Sequence, residues 1–188
     1  MPIRPEALFN AAPGLDEPIE MLAACHGRIA EQCHTLSRLV DHLRTHGADE
    51  QAAQAASAVI RYFDTAGENH HCDEEEDLFP ALRRFAGRRS LEVEVLLAAL
   101  LMEHSRMRAA WRGVLRPQLE AIAARSGSTL DAAQVQHFAT LYCNHIDREN
   151  VELLPLARTI LGDEELRRLG ESMAARRGVK PVPPSNSP

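Results

Sequence analysis

The sequence predicts an all-α protein: an up-down-up-down antiparallel four-helix bundle with a short C-terminal fifth helix. Aromatic residues make up 4% of the 188 residues, which disfavours a β-sheet fold because strands draw on Tyr, Phe and Trp. Prolines are concentrated near the two ends, so the middle of the chain is nearly free of helix breakers. Evenly spaced glycines divide this middle into segments that suit long helices joined by short loops.

Each predicted helix is bounded by a stop signal and a start signal. A glycine just past a helix end accepts a left-handed backbone, and the predicted stops are Gly47, Gly87, Gly127 and Gly162. Each is followed by a residue that can cap the next helix, and the predicted caps are Asp49, Ser90, Ser128 and Asp163. The predicted helices therefore cover residues 17–46, 49–86, 90–126, 129–161 and 163–177. Pro80 and Pro155 fall inside two of them and are expected to kink them.

The predicted domain organisation has one folded unit with short extensions. An N-terminal extension covers 1–16, the four-helix bundle 17–161 and the short fifth helix 162–178. The tail 179–188, VKPVPPSNSP, has too few apolar residues to form a core, and we expect it to be disordered.

Composition and charge exclude several classes of function. Lys and Arg total 21 against 27 Asp and Glu, a formal charge of −6, so the chain lacks the basic excess that nucleic-acid binding requires. No apolar run approaches the ~20 residues of a membrane helix, and the first residues lack a signal-peptide pattern. We therefore expect a cytoplasmic protein with free thiols.

The chain contains an internal repeat with polar residues at corresponding positions. Aligning residues 69–82, NHHCDEEEDLFPAL, with 144–157, NHIDRENVELLPLA, superimposes a His-x3-Glu-x5-Pro element. The predicted first and third helices also correspond, and each carries a lone histidine, His26 and His104, among apolar residues. Each half of the molecule thus contributes one lone histidine and one His-x3-Glu pair.

These polar residues lie on apolar helix faces, and that placement indicates a metal. Residues four apart share a helix face, so His70 pairs with Glu74, and His145 with Glu149. A buried carboxylate is costly unless it is paired or binds a metal ion. A mixture of imidazole and carboxylate ligands suits iron, with Mn or Zn as alternatives.

The arrangement resembles the hemerythrin-like, HHE cation-binding family. The segments HHCDEEEDLFP and HIDRENVELLP look like the two signature segments of that family, and PIEMLAACHGRI looks like its first-helix segment. The resemblance implies a non-haem di-iron centre, often oxo- or hydroxo-bridged. It implies as metal ligands His26, His70, Glu74, His104, His145 and Glu149.

The chain departs from the oxygen-carrying members at two positions. They place a second histidine one turn along the third helix, where this chain has Arg108, and an aspartate on the fourth helix, where it has Asn150. The iron without that histidine would take water, a bridging oxygen or another carboxylate. These departures argue against reversible oxygen transport and fit the bacterial members linked to oxygen or nitric-oxide sensing, iron handling and repair of iron centres.

Several functional hypotheses remain open. The first is a non-enzymatic di-iron module that binds or senses oxygen or nitric oxide, or handles iron. The alternative is a di-iron enzyme that reduces nitric oxide or peroxide or repairs iron centres, and it would need an external electron source. A metal-free structural bundle is a third. Signalling or electron transfer would require a protein partner.

Other residues are alternatives at or near the site. His71 and Glu75 share the spacing of His70 and Glu74, so His71 could replace His70 as the ligand. His34 could line the same cavity as a fifth histidine. The acidic run 73–77, apart from Glu74, is interpreted as a solvated helix face. The four cysteines are interpreted chiefly as small space-filling residues. A redox or nitrosylation role is the alternative for the three that lie within two residues of a predicted ligand, Cys25, Cys72 and Cys143, but not for Cys33.

Overall fold

The computed structural model describes residues 14–179, which form a bundle of five helices and contain no β-strand. The helices are α1, Pro18–His46; α2, 50–85; α3, 90–123; α4, 132–160; and α5, Asp163–Arg176. Most of the predicted N-terminal extension lies outside the described residues, as does the predicted tail except for Val179. The all-helical prediction is therefore confirmed for the described part of the chain.

The connections on either side of α2 follow the predicted glycine stops, but only the first has its predicted cap: Ser90 is the first residue of α3 and provides no side-chain cap. α1 ends before Gly47, whose φ of 71° is left-handed and whose N–H donates to the carbonyl of Leu43. The carboxylate of Asp49 then accepts a hydrogen bond from the N–H of Ala52 at 2.8 Å and caps α2. Gly87, just past α2, also has a positive φ, of 54°.

The connection between α3 and α4 differs from the prediction. Arg125, not Gly127, takes the left-handed conformation after α3, with φ of 55°. Asp131 rather than Ser128 caps α4, because its carboxylate accepts two backbone N–H bonds from the first turn. α3 therefore ends at residue 123 rather than 126, and α4 begins at 132 rather than 129.

Three of the helices contain π-helical turns, in which the backbone N–H bonds to the carbonyl five residues earlier. The π turns of the described residues are Phe63–Gly67, Asp73–Leu78, Trp111–Leu115 and Glu149–Leu153. A proline follows closely after three of them: Pro80, Pro117 and Pro155. A proline has no N–H to continue the α-helical ladder, so these helices widen locally to absorb the missing bond.

In α2 and α4 the π turn involves a predicted ligand. The N–H of Phe79 donates to the carbonyl of Glu74, and the N–H of Leu154 donates to the carbonyl of Glu149. The proline of the repeated His-x3-Glu-x5-Pro element thus accompanies a widened turn at each glutamate. Such single π turns occur often at functional sites.

The core consists of two apolar clusters. The first includes Phe63 of α2, Trp111 of α3 and Phe138 of α4, whose rings are in mutual contact. The second includes Leu22 of α1 and Phe79 of α2, with further members from α3, α4 and α5. Along each of α1 to α4, the predicted polar ligands lie between residues of one cluster and residues of the other.

α5 folds back onto the second cluster. Leu169 and Met173 are buried there, and Gly170 permits close contact with the chain entering α1. A Cβ at Gly170 would lie 2.0 Å from the carbonyl oxygen of Leu15, which no other residue could accommodate without a backbone shift. The end of α5 contacts the π turn of α2 that carries Glu74.

Candidate metal centre

The six side chains predicted as ligands converge in the centre of the bundle. They come from α1, α2, α3 and α4, and all are at most 3% exposed. They form two overlapping groups in which one nitrogen or oxygen atom from each residue lies within 4.8 Å of the others. One group is His26, His70, Glu74 and Glu149; the other is Glu74, His104, His145 and Glu149.

The first group brings two imidazoles to two carboxylates. Nε2 of His26 lies 3.0 Å from Oε2 of Glu149, and Nε2 of His70 lies 3.5 Å from Oε1 of Glu74. These pairs are close but lack the alignment of hydrogen bonds. Close contact without hydrogen-bond alignment is expected when the nitrogen and oxygen atoms are all directed at a common point between them, as the ligands of one metal ion are.

The second group uses the other oxygens of the same glutamates. Nε2 of His104 lies 3.4 Å from Oε2 of Glu74, and Nε2 of His145 lies 3.0 Å from Oε1 of Glu149. Glu74 and Glu149 therefore belong to both groups. Two neighbouring cations could share these carboxylates as bridges.

Three of the histidines are held by a hydrogen bond at their outer nitrogen. Nδ1 of His26 bonds to Oδ1 of Asn150 at 2.8 Å. Nδ1 of His104 lies 2.6 Å from Glu75, and Nδ1 of His145 lies 2.9 Å from a Glu103 oxygen. An acceptor at Nδ1 places the proton there and leaves Nε2 with a lone pair directed at the centre, as in metal-binding histidines generally.

This tautomer has a consequence for the contact between α3 and α4. Nε2 of His104 lies 3.0 Å from Nε2 of His145, and two lone pairs cannot bond to each other. A proton or a metal cation must stand between them. Two nitrogens bound at ~2.1 Å to one ion, near a right angle, are about 3 Å apart.

Two arginines lie behind the outer hydrogen bonds. Nη1 of Arg108 bonds to Glu75 at 2.7 Å, and Arg148 lies 3.4 Å from Glu103. Sequence reasoning missed Glu75, Glu103 and Asn150 in this role. The available signal was that each is adjacent in sequence to a predicted ligand.

His71 is a seventh buried polar residue of the centre. It is 3% exposed, and it forms a third group with His104 and His145. Its ring stacks on His104 with centroids 4.1 Å apart. The structure therefore brings in both His70 and His71, whereas the sequence suggested one in place of the other. His34, the other alternative, is exposed and belongs to none of the groups found in residues 14–179.

Many polar atoms of the centre have no hydrogen-bond partner among the described residues. They are His26 Nε2, His70 Nδ1 and Nε2, His71 Nε2, and both carboxylate oxygens of Glu74 and of Glu149. Each such buried atom costs about 1–3 kcal/mol when it is left unpaired. One shared proton could not satisfy this set, whereas one or two cations could satisfy all of it except Nδ1 of His70, since an imidazole binds an ion through one of its nitrogens. The donor atoms present therefore fit a metal centre.

The electrostatics keep most of the imidazoles neutral. Burial lowers the pKa of His70 to about 3 and lowers the pKa of His71 and of His104 below the usual range. Burial also acts against the protonation of His145, but Glu149 and Glu103 outweigh it and raise its pKa. Neutral imidazole is the form that binds metals.

The two glutamates are shifted in opposite directions. Burial and the neighbouring carboxylate of Glu149 raise the pKa of Glu74 well above its usual value. Burial acts in the same sense on Glu149, but the imidazoles of His145 and His26 hold its pKa well below that value. In the metal-free chain Glu74 therefore keeps its proton to a higher pH than an ordinary glutamate, and a bound cation would displace that proton.

The acidic run that follows His71 is less exposed than predicted. Asp73 is fully buried, and its carboxylate bonds to Arg176 and Arg177 at the end of α5. Arg176 also bonds to Asp77 at 2.8 Å. The expectation of a solvated face is wrong for Asp73, because α5 supplies cations that the local sequence of α2 does not reveal.

Comparison with known proteins identifies the family. The hemerythrin HHE cation-binding domain matches residues 17–157, which include all six predicted ligands. The chain belongs to the hemerythrin HHE family. It is also 33% identical over 165 residues to an uncharacterized protein of Haemophilus influenzae, covering 88% of this chain and 92% of that protein.

This hemerythrin-family protein differs from the sequence expectation at Arg108. With Arg108 in place of the histidine of the oxygen carriers, the nearby iron was expected to take water, a bridging oxygen or another carboxylate. In the structure Arg108 bonds to Glu75, while His71 of α2 lies against His104. An imidazole therefore lies on that side of the centre although residue 108 is not a histidine.

The cysteines lie outside the three groups of the described residues. All four are free thiols: Cys25 and Cys33 are buried, Cys72 is half-buried and Cys143 is exposed. Arg28 donates to the sulfur of Cys25 at 3.1 Å.

None of the helices in residues 14–179 is long and apolar enough to cross a membrane.

Proposed function

We propose that this hemerythrin-family protein holds a non-haem di-iron centre and uses it to bind or sense oxygen or nitric oxide. The observation that supports the proposal most strongly is the pair of overlapping donor groups that share Glu74 and Glu149. The proposed ligands are those predicted from the sequence, His26, His70, Glu74, His104, His145 and Glu149.

The donor chemistry favours iron. Imidazole and carboxylate ligands suit iron, whereas thiolates would favour zinc and all-oxygen sites Mg or Ca; Mn and Zn are the alternatives. Ferrous iron in such a site supplies electrons and coordination positions for a diatomic ligand. The two glutamates neutralise part of the cation charge, and Asn150, Glu75 and Glu103 fix the imidazoles that face it.

Burial restricts what can reach the centre. The proposed ligands are at most 3% exposed, and the apolar clusters lie on both sides of them along the helices. Such surroundings exclude bulk water and large polar substrates while small apolar gases can pass between packed side chains. This selectivity supports a diatomic ligand rather than a metabolite.

An antiparallel up-down-up-down arrangement of α1 to α4 is part of the proposal. The second apolar cluster precedes the polar ligands along α1 and α3, but follows them along α2 and α4. This order reverses from one helix to the next, as it must when consecutive helices run in opposite directions past the same apolar cluster. In keeping with it, Glu50–Tyr62 packs against Arg116–Ala123, while Phe79–Phe85 packs against Ser90–Ala110.

A cytoplasmic location also belongs to the proposal. Four free thiols suit a reducing compartment, where ferrous iron is also more readily maintained. Detection of the tagged protein in the cytoplasmic fraction of its own cells would test it.

The metal assignment can be tested on α4. His145→Ala and Glu149→Ala should each lower the iron content of protein reconstituted with ferrous iron under anaerobic conditions, because each removes a buried donor. His137→Ala is a matched control, since His137 is an exposed histidine of the same helix. Full iron content in both site variants would contradict the assignment.

The ligand can be tested by rapid mixing. The reduced iron-loaded protein should change its absorption spectrum on mixing with nitric oxide or oxygen in stopped-flow experiments. No change with either gas would contradict diatomic binding. Sustained turnover of nitric oxide or peroxide with an added electron donor would instead favour the enzyme alternative.

A further inference from the structure

His71 is a buried histidine that the ligand set predicted from the sequence does not use. Its side chain is 3% exposed, and its Nε2 atom has no hydrogen-bond partner among the described residues. A histidine that served only to fill the core would be expected to bond through its buried nitrogens. The unpartnered nitrogen therefore indicates an interaction with something other than protein.

The position of His71 shows where that interaction would occur. One of its ring nitrogens lies within 4.8 Å of ring nitrogens of both His104 and His145. The ring stacks on His104 at a centroid distance of 4.1 Å and lies nearly parallel to Tyr142 at 6.0 Å. These contacts fix the plane of the imidazole in the absence of a hydrogen bond at Nε2.

The divergence of the two side chains explains how two adjacent histidines can serve different parts of one centre. In a regular α-helix neighbouring side chains point ~100° apart. His70 and His71 lie in the short segment Glu68–Cys72, between the π turns Phe63–Gly67 and Asp73–Leu78. His70 joins the group that contains His26, while His71 joins the group that contains His104.

We propose that His71 is a fifth imidazole ligand, on the metal position formed by His104 and His145. This inference rests on the proposed metal centre and extends its ligand set. The two positions would then be unequal: three imidazoles would face one cation, two would face the other, and Glu74 and Glu149 would be shared.

The variant His71→Phe tests the proposal. Phenylalanine keeps the aromatic contact with His104 but removes both nitrogens. With ferrous iron as the probe, we expect the wild type to hold about two ions per chain and the variant about one. His34→Phe makes the same change at an exposed position and should retain the wild-type content. Wild-type content in a folded His71→Phe protein would overturn the proposal.

A direct measurement avoids dependence on the folding of that variant. In wild-type protein loaded with zinc, long-range proton–nitrogen NMR of the histidine rings distinguishes metal-bound from free nitrogens. We expect metal-bound nitrogens on His26, His70, His71, His104 and His145. A free Nδ1 and Nε2 on His71, with the others bound, would refute the His71 proposal alone. Absence of metal binding by the wild type would refute the proposed function itself.

Discussion

Metal removal should lower the thermal stability of this protein substantially. With no cation, buried atoms of His26, His70, His71, Glu74 and Glu149 have no hydrogen-bond partner among the described residues. At about 1–3 kcal/mol for each atom, their combined cost is on the order of 10–20 kcal/mol. That is comparable to the whole stability of a typical domain, about 5–15 kcal/mol.

The measured change will be smaller than this sum, because the metal-free chain can admit water or take up protons. An ion present at a thousand times its Kd stabilises the folded state by about 4 kcal/mol. A change of 1 kcal/mol shifts the Tm of a chain of this size by about 2–4 °C. We therefore expect removal of one ion to lower the Tm by roughly 8–16 °C.

Differential scanning calorimetry of the iron-loaded and chelated protein is the appropriate assay. The metal content is measured on the same samples, and iron is then added back to the chelated protein to show that the shift is reversible. Chelator added to protein that is already stripped is the control and should have no effect. A change in Tm below about 2 °C with complete loss of metal would refute the reasoning, since the buried polar atoms would then be satisfied without a cation.

Three further outcomes follow from other parts of the structure. Asp73→Asn should destabilise the fold by about 1.5–3 kcal/mol in urea unfolding, because the buried carboxylate bonds to Arg176 and Arg177, and only Arg176 is shown to keep another acidic partner, Asp77; a loss under about 1 kcal/mol would show that the pairing is unimportant. Asn150→Ala should weaken metal binding about 10–100-fold in competition with a chelator, because His26 loses the acceptor at its Nδ1; unchanged affinity would refute that role. Burial raises the pKa of Cys33 from 9.0 to about 12, so the folded state keeps a proton that the unfolded state loses. The free energy of unfolding should therefore fall as the pH rises from about 9 to about 12, and it should fall less steeply for Cys33→Ala. Urea unfolding at several pH values measures this, and the same dependence on pH for both proteins would contradict the prediction.

Local signals predicted the end of α1 and the start of α2 correctly, whereas Ser90 and Asp163, also predicted as caps, begin their helices without a side-chain cap. The stop at Gly47 and the cap at Asp49 depend on neighbouring backbone atoms, and both are present. Between α3 and α4 more than one residue could end the first helix or cap the second. Asp131 caps α4 instead of Ser128 because its carboxylate reaches the free N–H groups of the first turn. Local sequence does not contain that information.

The site was predictable to the extent that its residues repeat. The two His-x3-Glu pairs and the lone histidines lie at corresponding positions in both halves, and the structure brings all six together. Glu103, Glu75 and Asn150 act across helix interfaces, so their partners cannot be found from spacing along one helix. His71 was difficult because a helix turns it about 100° away from His70, and only its position beside His104 and His145 of other helices shows that it also faces the centre.

The composition of the centre in the purified protein tests the central claim most directly. Protein expressed with ample iron and purified in air should contain about two irons per chain and show near-ultraviolet charge-transfer bands of ferric iron. Both properties should disappear together in Glu149→Ala and persist in His137→Ala. Less than about half an iron per chain, with no such absorption and an intact fold, would contradict a di-iron centre.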